Sequence, residues 1–159
     1  MRSAQSSVLN DDSSLYAYKA VDGDVRPESV LGLGNNVSIT KAELNPWWEV
    51  FLGISVVIDS ITIYNRDIVT SICTGDLGGN CSRRLKGFRL EIFNGADGAN
   101  AVFTYDDPSS DDPGFIIPIT TMPSGTIGDR VRISLPNKSE YGNYLMLTEV
   151  VVFSYVNPN

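Results

Sequence analysis

The sequence contains no histidine, and this absence narrows the chemistry that the protein can perform. Histidine is the usual general base, the usual activator of a serine or cysteine nucleophile and the commonest zinc ligand. Serine–histidine and cysteine–histidine catalysis are therefore excluded. Composition does not exclude hydrolysis by a pair of carboxylates, but no acidic pair stands out among the many loop aspartates. We therefore expect a binding protein and not an enzyme.

Basic residues and long apolar runs are also scarce. The 159 residues include 12 basic and 19 acidic side chains, so the net charge is -7, which argues against nucleic acid as a partner. No apolar run is long enough for a membrane span, and no secretory signal precedes the polar start at residues 1–7. We expect one domain, residues 1–159, that is a mature form or a piece excised from a larger protein.

Apolar residues recur with period two, and turn residues interrupt them often, which is typical of an all-β sandwich or barrel. The sequence shows no low-complexity tract, heptad pattern or internal repeat. The only helical turn that we predict lies around Tyr16–Ala20, after a cap at Ser13 or Ser14. The predicted strands are Glu49–Leu52, Val57–Asn65, Phe88–Phe93, Ala101–Tyr105, Phe115–Ile119, Arg130–Leu135 and Leu145–Tyr155.

The two cysteines, Cys73 and Cys81, close a short Gly-rich loop between two predicted strands. A disulfide is favoured because nothing else in this loop would hold it, although two free thiols remain the alternative. Three glycosylation sequons, at Asn36, Asn80 and Asn137, fit a secreted or cell-surface protein, but such triplets are also frequent by chance.

Two arginines flank that same loop. Arg66 follows the strand that contains Ile61-Thr62-Ile63-Tyr64, and Arg84 precedes the next strand, so both guanidiniums are expected at one end of the sandwich, where binding sites are common. The alternative is that both form salt bridges with loop aspartates. Adjacent strand residues face opposite sides, so one ring of the Trp47–Trp48 pair should enter the core and the other should be partly exposed.

An ordered set of short motifs resembles a known family. The motifs are Ala4-Gln5-Ser6-Ser7, Lys19-Ala20-Val21-Asp22-Gly23-Asp24, Asn45-Pro46-Trp47-Trp48-Glu49-Val50, Ile63-Tyr64-Asn65-Arg66-Asp67, Arg84-Leu85-Lys86-Gly87-Phe88 and Leu147-Thr148-Glu149-Val150-Val151-Val152-Phe153. Together they resemble the discoidin-like, galactose-binding-like superfamily and, more narrowly, the F-type lectins (fucolectins), over nearly the whole chain. The resemblance implies a jelly-roll β-sandwich with a structural calcium and a shallow sugar pocket that contains two arginines and one histidine.

The resemblance assigns the two pocket arginines to Arg66 and Arg84. Lys41 stands where the family has its histidine, and lysine can only donate hydrogen bonds. A neutral fucose-like sugar would therefore need acceptors such as Asp67 and Asp76, with Asn65 or a backbone carbonyl as further choices. An anionic sugar, sulfated or uronic, would instead match the positive charges. Solvated lysine is the alternative for Lys41.

The resemblance also implies a calcium site. Calcium prefers hard carboxylate and carbonyl oxygens, and a site assembled from distant segments would stabilise the fold. The alternative is an ordinary turn at residues 21–24. The implied ligands are the carbonyls of Lys19 and Asp24, the side chain of Asp22, an oxygen of Ser38, and the Thr148 carbonyl beside Glu149.

These features predict a calcium-stabilised carbohydrate-binding domain that holds a terminal fucose-like or anionic sugar on a glycan or glycoconjugate. A single site should bind weakly, so avidity would come from homo-oligomers or tandem domains. The alternative is a discoidin-type adhesion module with a lapsed sugar pocket. Such a module would hold a protein or membrane surface through loops such as Ile68–Ile72.

Overall fold

The structure, a computed structural model, describes residues 2–27, 36–67, 73, 80–95, 100–108, 112–136 and 144–155. These residues form β-strands joined by loops and by short 3₁₀ helices, with no α-helix among them. No helix in the described ranges is long and apolar enough to cross a membrane. The strands in these ranges are β1 (Arg2–Gln5), β2 (Ser38–Ile39), β3 (Trp47–Tyr64), β4 (Arg89–Phe93), β5 (Phe103–Asp106), β6 (Ile116–Ile119), β7 (Ile127–Ser134), β8 (Met146–Leu147) and β9 (Glu149–Tyr155).

The strands form the predicted all-β sandwich. The first layer has the order β1-β3-β7-β4-β5, and the later part of β3 forms the second layer with β6 and β9. Every pairing in both layers is antiparallel. Strands β2 and β8 form a separate antiparallel pair.

Strand β3 belongs to both layers because its pairing changes along its length. Residues 47–51 pair with β1 and β7, and residues 57–64 pair with β9, with β6 joining from Ile61 onward. The register against β7 shifts between Phe51 and Val56, and Gly53 within this interval has a φ of 88°. Glycine adopts this left-handed conformation without steric cost, so the strand can bend there. Two strands predicted from the sequence are therefore one strand of 18 residues.

The predicted strand Leu145–Tyr155 shows the opposite outcome. It divides into β8 and β9, because β8 pairs with β2 whereas β9 pairs with β3. The predicted helical turn is also different in detail: 3₁₀ helices cover Leu9–Asp11, Ser13–Leu15 and Ala17–Val21. The predicted cap at Ser13 or Ser14 is wrong, because Asp12 accepts the hydrogen bond from the Ser14 backbone N–H.

The core lies between the two layers. Its members are the residues of each strand whose side chains point inward, such as Val50, Ile61, Ile92 and Val131, all fully buried. Trp48 is the largest of them, and its indole Nε1 donates to the Ala17 carbonyl at 2.9 Å. Trp47 is only partly buried and lies on the opposite side of the strand. The predicted division of the tryptophan pair is confirmed.

We expect Trp48→Ala to lower the free energy of unfolding by about 3–5 kcal/mol, because it removes a buried ring and leaves the Ala17 carbonyl without its donor. Trp47→Ala should cost about 1 kcal/mol, since its ring lies at the surface. Urea denaturation of both variants, followed by circular dichroism, measures the difference. Equal losses in the two variants would contradict this assignment of core and surface rings.

Candidate functional site

Asn65 holds together three segments at one end of the sandwich. Its side-chain amide donates to the Ser82 carbonyl at 2.8 Å and to the Gly114 carbonyl at 3.0 Å. Its Oδ1 accepts the Arg66 backbone N–H at 2.8 Å. The Asn65 carbonyl accepts the Thr148 hydroxyl at 2.9 Å. Asn65 is 1% exposed, so these bonds are shielded from water and fix the chain where β3 ends.

This network brings Arg66 and Arg84 to the same place. Arg66 directly follows Asn65, and Arg84 belongs to the 3₁₀ helix Cys81–Leu85, whose Ser82 carbonyl Asn65 holds. Burial lowers the pKa of the Arg84 guanidinium; Tyr144 acts in the opposite direction, and the positive charge of Arg66 lowers the pKa further. Asn65 thus connects the segment that carries Arg66 with the helix that carries Arg84.

Both arginines are unusually buried for their type. Arg66 is 3% exposed and Arg84 is 8% exposed. Nη1 of Arg66 lies 3.3 Å from the Met146 sulfur, and the Arg84 guanidinium carbon lies 4.4 Å from the centre of the Tyr144 ring. An aromatic face and a thioether orient the two planar groups. Such preorganisation lowers the entropy lost when a ligand binds.

Tyr144 and Met146 were not identified from the sequence. Tyr144 lies just before β8, and Met146 is the first residue of β8. Because β8 pairs with β2, both residues lie beside segments that are distant in the chain. Sequence reasoning assigned the region to one long strand, so it offered no reason to connect Tyr144 with Arg84. The signal that the sequence did offer was Tyr144 itself, an aromatic residue just before the last strands.

The other predicted sugar ligands are Lys41, Asp67 and Asp76. The Lys41 ammonium forms an ion pair with Asp11 at 2.8 Å, and both side chains are largely exposed. Asp67 follows Arg66 and is partly buried. Asp76 and the loop segment Ile68–Ile72 lie outside the described residues. Asn65 is a poor acceptor for a sugar hydroxyl, because it is 1% exposed and its side chain already donates two hydrogen bonds and accepts one within the protein.

Cys73 and Cys81 form the predicted disulfide, with their Cα atoms 5.3 Å apart. The bridge is fully buried and leads directly into the helix that carries Arg84. Two of the sequon asparagines have structural roles. Asn80 caps this helix, accepting the Ser82 backbone N–H at 3.1 Å and donating to Asp112. Asn36 is 1% exposed and donates to the Arg26 carbonyl at 2.6 Å. Asn36 is thus buried and Asn80 partly buried, whereas Asn137 lies outside the described residues.

The candidate metal ligands come from segments that pack together. The 3₁₀ helix Ala17–Val21, which carries Lys19, contacts both β2 and β9. Glu149 accepts the Gly23 backbone N–H at 3.1 Å. Asp24 directs its carboxylate to Arg26, at 2.8 and 2.7 Å, and the Ser38 hydroxyl donates to Gln5 at 2.7 Å. Within the described ranges, no three acidic or cysteine side chains form a metal-binding group.

Glu149 is the most perturbed of these groups. Burial raises its pKa to about 7, and the negative charges of Asp22 and Asp24 add to this effect against the hydrogen bonds that it accepts. A buried carboxylate beside two others carries a local excess of negative charge. Lys19, whose ammonium lies 3.8 Å from Asp22, compensates part of it.

A family model described as a NedA-like, galactose-binding domain matches residues 19–133, which is more than half of the chain. The chain belongs to this family. The galactose-binding-like domain is also similar to solved structures. It is 27% identical to a Streptococcus pneumoniae fucose-binding module, with 97% of this chain and 93% of that chain covered and a TM-score of 0.70. The resemblance to discoidin-like domains and F-type lectins is thereby confirmed. A search of the curated proteins found no match.

Two further solved structures bear on the comparison. A fucolectin from striped bass (Morone saxatilis) serum is 27% identical, with a TM-score of 0.71, and 98% of this chain covers 47% of that chain. The galactose-binding-like domain thus spans about half of that lectin. A chitosan-binding module from a Paenibacillus chitosanase/glucanase is 16% identical, with 96% and 93% covered and a TM-score of 0.66, and shows the fold alone. These neighbours are described as binding modules or lectins.

We expect the metal-free protein to lose stability as the pH rises from about 4.5 to about 7, the ordinary and the raised pKa of Glu149. The folded state keeps a proton on Glu149 that the unfolded chain releases, so this contribution is complete below the lower value and lost above the higher one. Urea denaturation in a chelator between these pH values measures the slope. Glu149→Gln should flatten it, and an unchanged slope in that variant would contradict the assignment.

Proposed function

We propose that this chain is a carbohydrate-binding domain that holds a terminal fucose-like or anionic sugar through Arg66 and Arg84. The observation that carries the proposal is the convergence of two buried guanidiniums at the end of a galactose-binding-like sandwich. The similarity to a fucose-binding module and to a fucolectin supports the sugar class. Binding is reversible and breaks no bond, so the domain is not an enzyme.

The chemistry of the arginine pair suits a sugar. A guanidinium presents a planar fork of N–H donors that can hold two neighbouring oxygens in fixed geometry. Two such forks can hold adjacent hydroxyls and a ring oxygen of one residue. The Tyr144 ring beside Arg84 adds apolar surface to the same place. Acceptors for the sugar hydroxyls would come from Asp67 and Asp76.

The charge of the pocket favours ligands rich in acceptor oxygens. A sulfate or carboxylate placed between Arg66 and Arg84 would form charge-assisted hydrogen bonds with their N–H groups. The exposed ion pair of Lys41 with Asp11 contributes little stability, so Lys41 can exchange that partner for an anionic group. A neutral fucose-like sugar would use the same arginines without this electrostatic contribution.

We propose further that calcium stabilises the domain. The residues fit the ion, because the segments that carry Lys19, Ser38 and Glu149 pack together, and Glu149 lies in an excess of negative charge that a cation would neutralise. The carbonyls of Lys19, Asp24 and Thr148, the carboxylates of Asp22 and Glu149 and an oxygen of Ser38 would hold it. Its effect would be structural, linking the N-terminal helices to β9.

The buried disulfide suits an oxidising environment, so we propose a secreted or cell-surface location. Glycans or glycoconjugates would be the partners. Shallow sugar sites bind weakly, and homo-oligomers or tandem copies of the domain would supply avidity.

Arg66→Lys and Arg84→Lys should each reduce sugar affinity about tenfold or more, because lysine keeps the charge but loses the fork. A glycan array identifies the ligand, and titration calorimetry measures the affinity of each variant. Arg83→Lys is the matched control, since Arg83 belongs to the same 3₁₀ helix and is only partly buried.

The salt dependence of binding separates the two sugar classes. Affinity for a sulfated or uronic ligand should fall as salt rises, whereas affinity for a fucose-like ligand should change little. Unchanged glycan binding in both Arg66→Lys and Arg84→Lys, with the fold intact by circular dichroism, would contradict the lectin proposal. Loss of binding to a protein or membrane partner on changing Ile68 and Ile72 would then favour the adhesion alternative.

Calcium at about a hundred times its dissociation constant should raise the melting temperature by about 5 °C or more over the chelated protein. Glu149→Gln and Asp22→Asn should reduce this shift, because each removes a carboxylate ligand. Asp59→Asn changes an exposed carboxylate of β3 and is the control. Differential scanning calorimetry with calcium and with a chelator measures the shift, and equal shifts in all three variants would rule out the proposed ligands.

A further inference from the structure

The outer face of the five-stranded layer carries two rows of aligned polar side chains. Strand register places Trp47 beside Ser134, Ser134 beside Arg89 and Arg89 beside Asp106, across four neighbouring strands. The adjacent row runs from Glu49 through Arg132 to Glu91. Residues of one row point to the same side of the sheet, because the side chains of paired positions share a face.

A small residue lies in the middle of the first row and creates a depression. Ser134 is flanked by the long side chains of Trp47 and Arg89, and Arg132 and Glu91 rise beside it. The resulting groove has a volume of about 300 Å³, and Asn45 and Pro136 also line it. This is the lower end of the size range of small-ligand sites, enough for one or two sugar rings.

The walls of the groove are held in place by ion pairs beneath or beside them. Two nitrogens of Arg132 donate to one oxygen of Glu49, at 3.0 and 2.7 Å, and Glu49 is itself buried. The Arg132 guanidinium carbon lies 5.0 Å from the centre of the Trp47 ring. Arg89 forms two hydrogen bonds with Asp106, at 2.7 and 3.2 Å, but this pair is exposed. The wall formed by Trp47 and Arg132 over buried Glu49 is therefore the preorganised part of the groove.

Some polar groups of the groove remain available to a ligand. Within the part of the chain that the structure describes, the Trp47 indole N–H, the Glu91 carboxylate and the Ser134 hydroxyl form no intramolecular hydrogen bond. Donors and acceptors thus face the same small space. Such a mixture matches hydroxyl groups, each of which can both donate and accept.

The charge balance excludes two other ligand classes. Asp106 pairs with Arg89, and Glu49 pairs with both Arg130 and Arg132. With Glu91 included, three carboxylates balance three arginines, so the groove offers no net attraction to an anion. A purely apolar ligand would remove water from the Glu91 carboxylate and from the neighbouring Arg89 and Arg132 without replacing its hydrogen bonds, which is costly. A neutral polyhydroxyl ligand with an apolar ring face satisfies both constraints.

We propose that this groove is a second carbohydrate-binding site, which takes a neutral saccharide. A sugar ring would contact the Trp47 indole, its hydroxyls would donate to Glu91, and Arg89 and Arg132 would donate to its oxygens. The site is separate from the arginine pair, because Arg66 and Arg84 lie outside β3 and β4 and make no part of its lining. A chain with two sites could bind two points of one glycan.

The two tryptophans make the proposal directly testable by nuclear magnetic resonance. ¹⁵N-labelled protein should show two indole N–H signals, one from Trp47 in the groove and one from buried Trp48. The probes are neutral hexasaccharides of glucose, mannose, galactose and N-acetylglucosamine at millimolar concentration, with a hexasaccharide of galacturonic acid as the charged comparator. At least one neutral probe should shift the Trp47 signal and leave that of Trp48 unchanged.

Ser134→Tyr should fill the groove and weaken this binding about tenfold or more, whereas Thr62→Tyr, on the other layer, should not. Arg66→Lys should leave the Trp47 shift intact even if it abolishes binding at the arginine pair, so the two proposals fail separately. Three results would each overturn the second site: no Trp47 shift with any neutral probe, a shift that survives Ser134→Tyr, or a shift that Arg66→Lys removes.

Discussion

The constraint on which the rest of the structure depends is the passage of β3 from one layer of the sandwich to the other. Because β3 pairs with β1, β7, β6 and β9, its bend at Gly53 joins the two sheets and encloses the core. Both candidate binding regions are at its ends. Trp47 begins the strand on the outer face, and Asn65 and Arg66 follow its last residue.

The two regions differ in the surroundings of their charged groups. The guanidiniums of Arg66 and Arg84 are buried, and they contact Met146 and Tyr144 respectively. On the outer face, Glu49 pairs with both Arg130 and Arg132 in a nearly neutral, hydrogen-bonding surface. We therefore propose ligands that bring acceptors or negative charge for the first region and ligands with neutral hydroxyls for the second.

Much of the fold could be predicted from the sequence because strand periodicity is a local property. The alternation that placed Trp48 inside and Trp47 outside is confirmed, and so is the Cys73–Cys81 bridge. The boundaries were less accurate, since the bend at Gly53 and the division before Glu149 depend on which strands pair. Periodicity contains no information about partners.

The sequence by itself determined the all-β class, the absence of histidine chemistry and the proximity of Arg66 and Arg84 to one loop. Each of these follows from composition or from residues that are close in the chain. Only the tertiary structure decided that the Asn65 side chain bonds to the segment that carries Arg84 and that Tyr144 faces Arg84. It also decided that Ser134 lies in a groove beside Trp47. These contacts join segments far apart in sequence, so they arise only when the layers pack and the strand register is set.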